Sequence, residues 1–265
     1  MNKPALFQAR WSVRGLLLCN LIAIGLVGLW LLPAGHAAFT SFDEWFFHLL
    51  NQPLADNTVW RSIWAVGSMR PFDIIVGLIL LSLLIRGDWV IAAVQTRQAT
   101  IAFVSMLVLM LLIRTAFDKL CGQMGWQHSS PSLMLPDAVR LSALYPHISP
   151  HLELKDASGQ SFPGDHASVL IIWGMFMTIF ARRFAQYVVI WGLVVLFSMP
   201  RLVAGAHWGQ DDYIGGIAMA LLALGWGFYT PFAEVVSSWL LRVTQPLFKV
   251  LQRIPLIKCL SVVSA

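Results

Sequence analysis

The sequence predicts an all-α polytopic membrane protein, a bundle of six transmembrane helices with interfacial helices and one long outward loop. Three observations carry this expectation. Hydrophobic residues make up 58% of the 265 and charged residues only 12%, about half the charged share of an ordinary soluble domain. Twelve tryptophans and sixteen phenylalanines are many for this length. Apolar runs near the roughly 20 helical residues needed to cross about 30 Å of hydrocarbon recur along the chain. In such a chain the net charge of +5 reports orientation first, and nucleic acid is not an expected partner.

The first run is Gly15 to Leu32. "AGHAAF" at 34–39 has the small residues of a cleavage site, but the apolar run exceeds a signal core, so an uncleaved helix is expected. Asp43 to Leu50 and Thr58 to Val66 are short, aromatic-rich and amphipathic, which suits interfacial helices. The second to sixth spans are Pro71 to Ile85, Ala99 to Phe117, Ala167 to Phe180, Phe184 to Pro200 and Tyr213 to Thr230. Beyond them, residues 231–265 space Arg242, Lys249, Arg253 and Lys258 between apolar residues. That pattern suits an amphipathic tail on an anionic cytoplasmic leaflet. Residues 1–265 thus read as a single integral-membrane domain.

Six spans put both termini on one side. That side carries 11 of the Lys and Arg residues, Lys3 among them, against 7 on the other. The positive-inside rule then makes both termini cytoplasmic and turns the loop from Asp118 to Phe162 outward. Cys19, Cys121 and Cys259 show no disulfide framework or metal-ligand spacing and read as small apolar fillers.

Two polar segments stand at outer span ends, "KDASGQSFPGDH" (155–166) and "PRLVAGAHWGQDD" (200–212). His207 and Asp211 are four apart, so on a helix they share a face. An aspartate on one ring nitrogen fixes the tautomer and leaves the other nitrogen as nucleophile or base. The guanidinium of Arg201 matches phosphate oxygens. Pro163 and Gly164 precede the fourth span, whose N-terminus favours an anion. His166 in that first turn can protonate a leaving oxygen. Each feature alone is more often structural, but their convergence at span ends favours a phosphoryl-transfer site. A facial metal triad of His166, His207 and Asp211 is the weaker alternative, because Arg201 and the glycine-containing turn suit an anion. No metal or other cofactor is expected.

At these residues the chain resembles the type-2 phosphatidic acid phosphatase superfamily. Pro163–Gly164–Asp165–His166 is a variant of its P-S-G-H motif. Arg201, His207 and Asp211 fit its S-R-x5-H-x3-D motif, with Pro200 in place of the serine. "KDAS", "SFPGDH", "GAHW", the Ser130–Pro131 pair and "RPFD" at 70–73 are similar to one branch, the lipid A 1-diphosphate synthases. The family's first motif, K-x6-R-P, is degenerate here. Ser130–Pro131 marks its place, and Gln127 and His128 replace the expected basic residues.

The resemblance implies a metal-independent enzyme. His207 attacks phosphorus to give a phosphohistidine, Asp211 orients it and His166 protonates the leaving group. Arg201 and the backbone at Gly164 and Asp165 hold phosphate oxygens. His128 and Ser130 stand at the first motif's place as further phosphate contacts, with Lys155 and Lys119 as substitutes for the missing cation. The implied substrates are undecaprenyl pyrophosphate as donor and the 1-phosphate of lipid A as acceptor, at the periplasmic face of a bacterial inner membrane. A plain lipid phosphatase using water is the alternative. No obligate protein partner is inferred.

Overall fold

The computed structural model describes residues 6–7, 9–255 and 258–264, so Lys3 lies outside the described residues. Each of the six expected apolar runs is helical. The first helix, α1 (Val13–Leu31), stops at Leu32, whose backbone is extended ahead of Pro33, as the residue before a proline tends to be. Pro33 then opens α2, Pro33–Asn51, where its fixed φ and missing N–H are tolerated. The aromatic segment expected at 43–50 is therefore the second half of a 19-residue helix. In α3 (Thr58–Gly67), the Asn57 side chain accepts from the Trp60 N–H at 3.0 Å, an N-cap.

Next come α4 (Arg70–Ile85) and α5 (Thr96–Met124), which ends at the left-handed Gly125. Short helical turns and extended chain fill the loop from there to α6, Asp165–Phe180. Helix α7 covers Phe184–Ala204. A π-helical turn at Asp211–Gly216 leads into α8 (Ile217–Phe228), and α9 covers Phe232–Leu251. The expected end of the fifth span at Pro200 is corrected. The helix continues through Pro200 to Ala204 and stops at Gly205, φ 81°, leaving Arg201 in its last turn.

By length and composition, three helices among the described residues can cross a membrane: Val13–Leu31, Ala93–Met124 and Phe184–Ala204. A fourth is added if Asp211–Phe228 and Phe232–Leu251, bent by 69°, count as one broken span. Asp165–Phe180 is apolar but shorter. The protein is an all-helical membrane protein.

Helix α8 sits at the centre of the bundle and packs on α1, α5 and α6. Ala218, Ala220 and Ala223 are fully buried there, and small side chains let helices approach closely. The core around them includes Met106, Met110, Trp173 and Phe176. The tail helix α9 packs on α5. Behind it, Arg97 Nε donates to the Val262 carbonyl at 2.9 Å, and its guanidinium lies 4.3 Å from the Phe248 ring centre. One end of the bundle gathers the starts of α4 and α6, the end of α7 and the second half of α5, and there the charged residues meet.

Candidate active site

The loop before α6 is held down residue by residue. Lys155 N–H donates to the Ser68 carbonyl and Ser161 N–H to the His128 carbonyl. Phe162 stacks on Trp30 with ring centres 4.3 Å apart. Gly164 N–H donates to the Asp211 carbonyl at 2.9 Å, so the two polar segments meet back to back. A side chain at 164 would collide with the Asp212 carboxylate and come within 3.0 Å of the Asp211 carbonyl. Close approach thus requires glycine here. The oxygen-holding role expected of Gly164 is corrected, because its N–H is already committed.

His207 is buried on the segment joining α7 to the π turn. Its Nδ1 lies 3.0 Å from the Ser161 carbonyl and 3.3 Å from Asp211 Oδ2. A carbonyl only accepts, so Nδ1 carries a proton. Its Nε2 lies 3.2 Å from Asp165 Oδ1. Burial draws the imidazole pKa down, but the hydrogen bonds to Asp165 and Asp211 prevail and push it up to about 10. Asp211 also accepts from the Trp208 N–H at 2.8 Å and lies 2.8 Å from His128 Nε2.

His166 sits in the first turn of α6. Its Nε2 donates to the Phe197 carbonyl at 3.1 Å, and its Nδ1 faces Asp73 at 3.8 Å. Asp73 is also 2.5 Å from Arg201, whose other nitrogen donates to the Ser68 carbonyl. A cavity of about 360 Å³ opens here, and Arg201, Lys155, Arg114 and Arg70 line it along with Asp73, Asp165 and His166. Four cations against two carboxylates favour an anionic occupant.

The structure therefore brings His207, His166, Asp211, Asp165, Gly164, Arg201 and Lys155 together. It does not bring His128 or Ser130 to the cavity, which corrects their assignment as phosphate contacts. His128 reaches Asp211 instead, and Ser130 is fully buried, accepting from the Ser158 N–H at 2.9 Å. The Asp165 side chain points at His207 rather than serving only through its backbone. Sequence reasoning missed Arg114, Arg70 and Asp73 as cavity residues. Arg114 carried a signal, since it is a lone charge inside the apolar run 99–117, and intramembrane charges mark sites.

Comparison with known proteins gives two matches. Residues 140–235 match the PAP2 superfamily. The chain is also similar to the lipid A 1-diphosphate synthase of Escherichia coli (strain K12), 29% identical over 225 residues, which cover 83% of this chain and 89% of that protein. No solved structure matches it.

Proposed function

We propose, from the match of residues 140–235 to the PAP2 superfamily, that the chain is an enzyme of the lipid phosphatase and phosphotransferase class and moves a phosphoryl group from undecaprenyl pyrophosphate to the 1-phosphate of lipid A through a phosphohistidine. The observation that carries the chemistry is the cation-lined cavity that His166 and Arg201 share with Asp165, behind whose carboxylate His207 is buried. The likeness to a lipid A 1-diphosphate synthase along most of both chains supports the acceptor.

In this reading the Nε2 lone pair of His207 forms an N–P bond to the terminal phosphorus. The P–O bond to the leaving phosphate breaks with its electron pair on oxygen, which takes a proton from His166. Asp211, held by the Trp208 N–H and His128, keeps the proton on Nδ1 and the ring oriented. Arg201 and Lys155 stabilise the charge on the transferring oxygens. An oxygen of the acceptor phosphate then attacks phosphorus, the N–P pair returns to His207, and His166 recovers a proton from the acceptor.

We place six helices across the bacterial inner membrane, both termini in the cytoplasm and the cavity at the periplasmic face. The excess of Lys and Arg on one side supports this orientation. Residues 1–265 form one domain with a cytoplasmic amphipathic tail.

The test mixes purified protein in detergent with undecaprenyl pyrophosphate, with and without lipid A. Lipid A 1-diphosphate formed at the expense of free phosphate is the expected result. Phosphate release undiminished by lipid A overturns the transferase reading in favour of water as acceptor. His207→Ala is expected to be inactive in either reaction.

A further inference from the structure

We propose that Asp165 is a catalytic residue, a carboxylate that covers the attacking nitrogen of His207 and takes its proton as the phosphoryl donor arrives. The proposal rests on the reading of His207 as nucleophile and deepens it.

The geometry argues in three steps. First, Nδ1 of His207 is already a donor, because the Ser161 carbonyl beside it can only accept. Any proton on Nε2 therefore makes the ring an imidazolium, which has no lone pair to attack phosphorus. Second, the group in hydrogen-bond contact with Nε2 is Asp165 Oδ1 at 3.2 Å, so one proton lies between the two. Third, Asp165 lines the cavity whereas the buried His207 lies behind it. A phosphoryl donor entering from the cavity meets the carboxylate before it meets the nitrogen.

The charges around the pair set the direction of transfer. Behind it stand Asp211 and Asp212 of the π turn, with His128 beyond Asp211. The ionised Asp211 favours the proton on the imidazole. In front stand Arg114, Lys155, His166 and Arg201, with Arg70 and Asp73 at the rim. An anion gripped by these cations comes closer to Asp165 than to Nε2, and a like charge favours the protonated acid.

The N–H bond of Nε2 then breaks and an O–H bond forms on Asp165. The freed lone pair makes the N–P bond, and the leaving oxygen takes its proton from His166. Neutral Asp165 no longer repels the phosphoryl oxygens. When the acceptor displaces His207 from phosphorus, Nε2 recovers its proton from Asp165. The His166 N–H, donating to Asp165 Oδ1 at 2.7 Å, holds the carboxylate at the start of α6 for this exchange.

The experiment follows single-turnover formation of acid-labile phosphohistidine from ³²P-labelled undecaprenyl pyrophosphate between about pH 5 and 8, the range in which imidazoles ordinarily titrate. In the wild type the pair carries one proton throughout and adds no pH dependence, so the rate is expected to follow the His166 acid alone and not to rise with pH. In Asp165→Ala the Nε2 proton must leave to solvent. Relative to the wild type, its rate is expected to be down roughly 100-fold at the acid end and to recover with pH, up to tenfold per unit. Asp165→Glu keeps the carboxylate and is expected to restore the wild-type profile. An Ala variant that is faster than, or parallel to, the wild type overturns the proposal, making Asp165 a plug or a structural group. If Ala does not fold, the Glu variant decides, and a rate there that departs from the wild-type pH profile overturns it. If His207→Ala still forms the phosphoprotein, the nucleophile reading itself fails.

Discussion

Asp211 uses both carboxylate oxygens, one toward His207 and the Trp208 N–H and the other toward His128. Asp211→Asn keeps the shape but can accept through only one atom. Its amide donates where His207 Nδ1–H or His128 needs an acceptor. We expect kcat to fall about 10²- to 10⁴-fold with folding retained, measured as phosphate transfer beside thermal unfolding. This pair was legible in the sequence, because a four-residue spacing fixes proximity whatever the surroundings. Asp165 was legible only as part of a motif. That its side chain turns to His207 depends on Gly164 lying against the Asp211 carbonyl, a long-range contact that no local spacing encodes. Arg114 was hidden for a similar reason. Its position in a span was plain, but that this face turns to Pro163, whose carbonyl it meets at 3.1 Å, is decided by packing.

The helices themselves were largely legible, since apolar runs of this length have few alternatives in lipid. Their ends were less so. Pro200 read as a stop, yet a proline's fixed φ suits a helix, and the lost backbone bond and the crowding of the carbonyl four residues earlier did not end this one. The real stop is five residues later at Gly205, where φ is positive and a Cβ would lie 2.9 Å from the Phe47 ring and from Ser132. Gly205→Ala is therefore expected to destabilise by about 1–3 kcal/mol, through left-handed strain and this crowding. The check is a lowered unfolding midpoint in detergent. Because this turn leads directly to His207, activity is expected to fall with stability. The clamp by α2 was also not legible. Asp43, which read as part of an interfacial helix, accepts from Gln210 N–H at 2.8 Å and Tyr213 OH at 3.0 Å, fixing the far side of the same turn.

At the scale of the whole molecule, orientation is the proposal most open to a direct check, and the native cysteines supply it. Cys19 and Cys121 are buried, whereas Cys259 is exposed beyond α9. A membrane-impermeant maleimide is expected to label inside-out vesicles at Cys259 and to leave intact spheroplasts unlabelled. Cys259→Ser is expected to abolish that label, and labelling from the periplasmic side would reverse the topology. The bundle also ties its first helix to one of its last, since α1 lies along α8 and Trp30 Nε1 donates to Gln210 Oε1 at 2.6 Å. His166 thus emerges from the ribosome well before the segment that supplies His207, and the wall that steadies that segment has been waiting since the start. A half-made chain in the bilayer holds His166 without His207. On the proposed mechanism such a chain forms no phosphohistidine, so activity waits on the segment that follows α7.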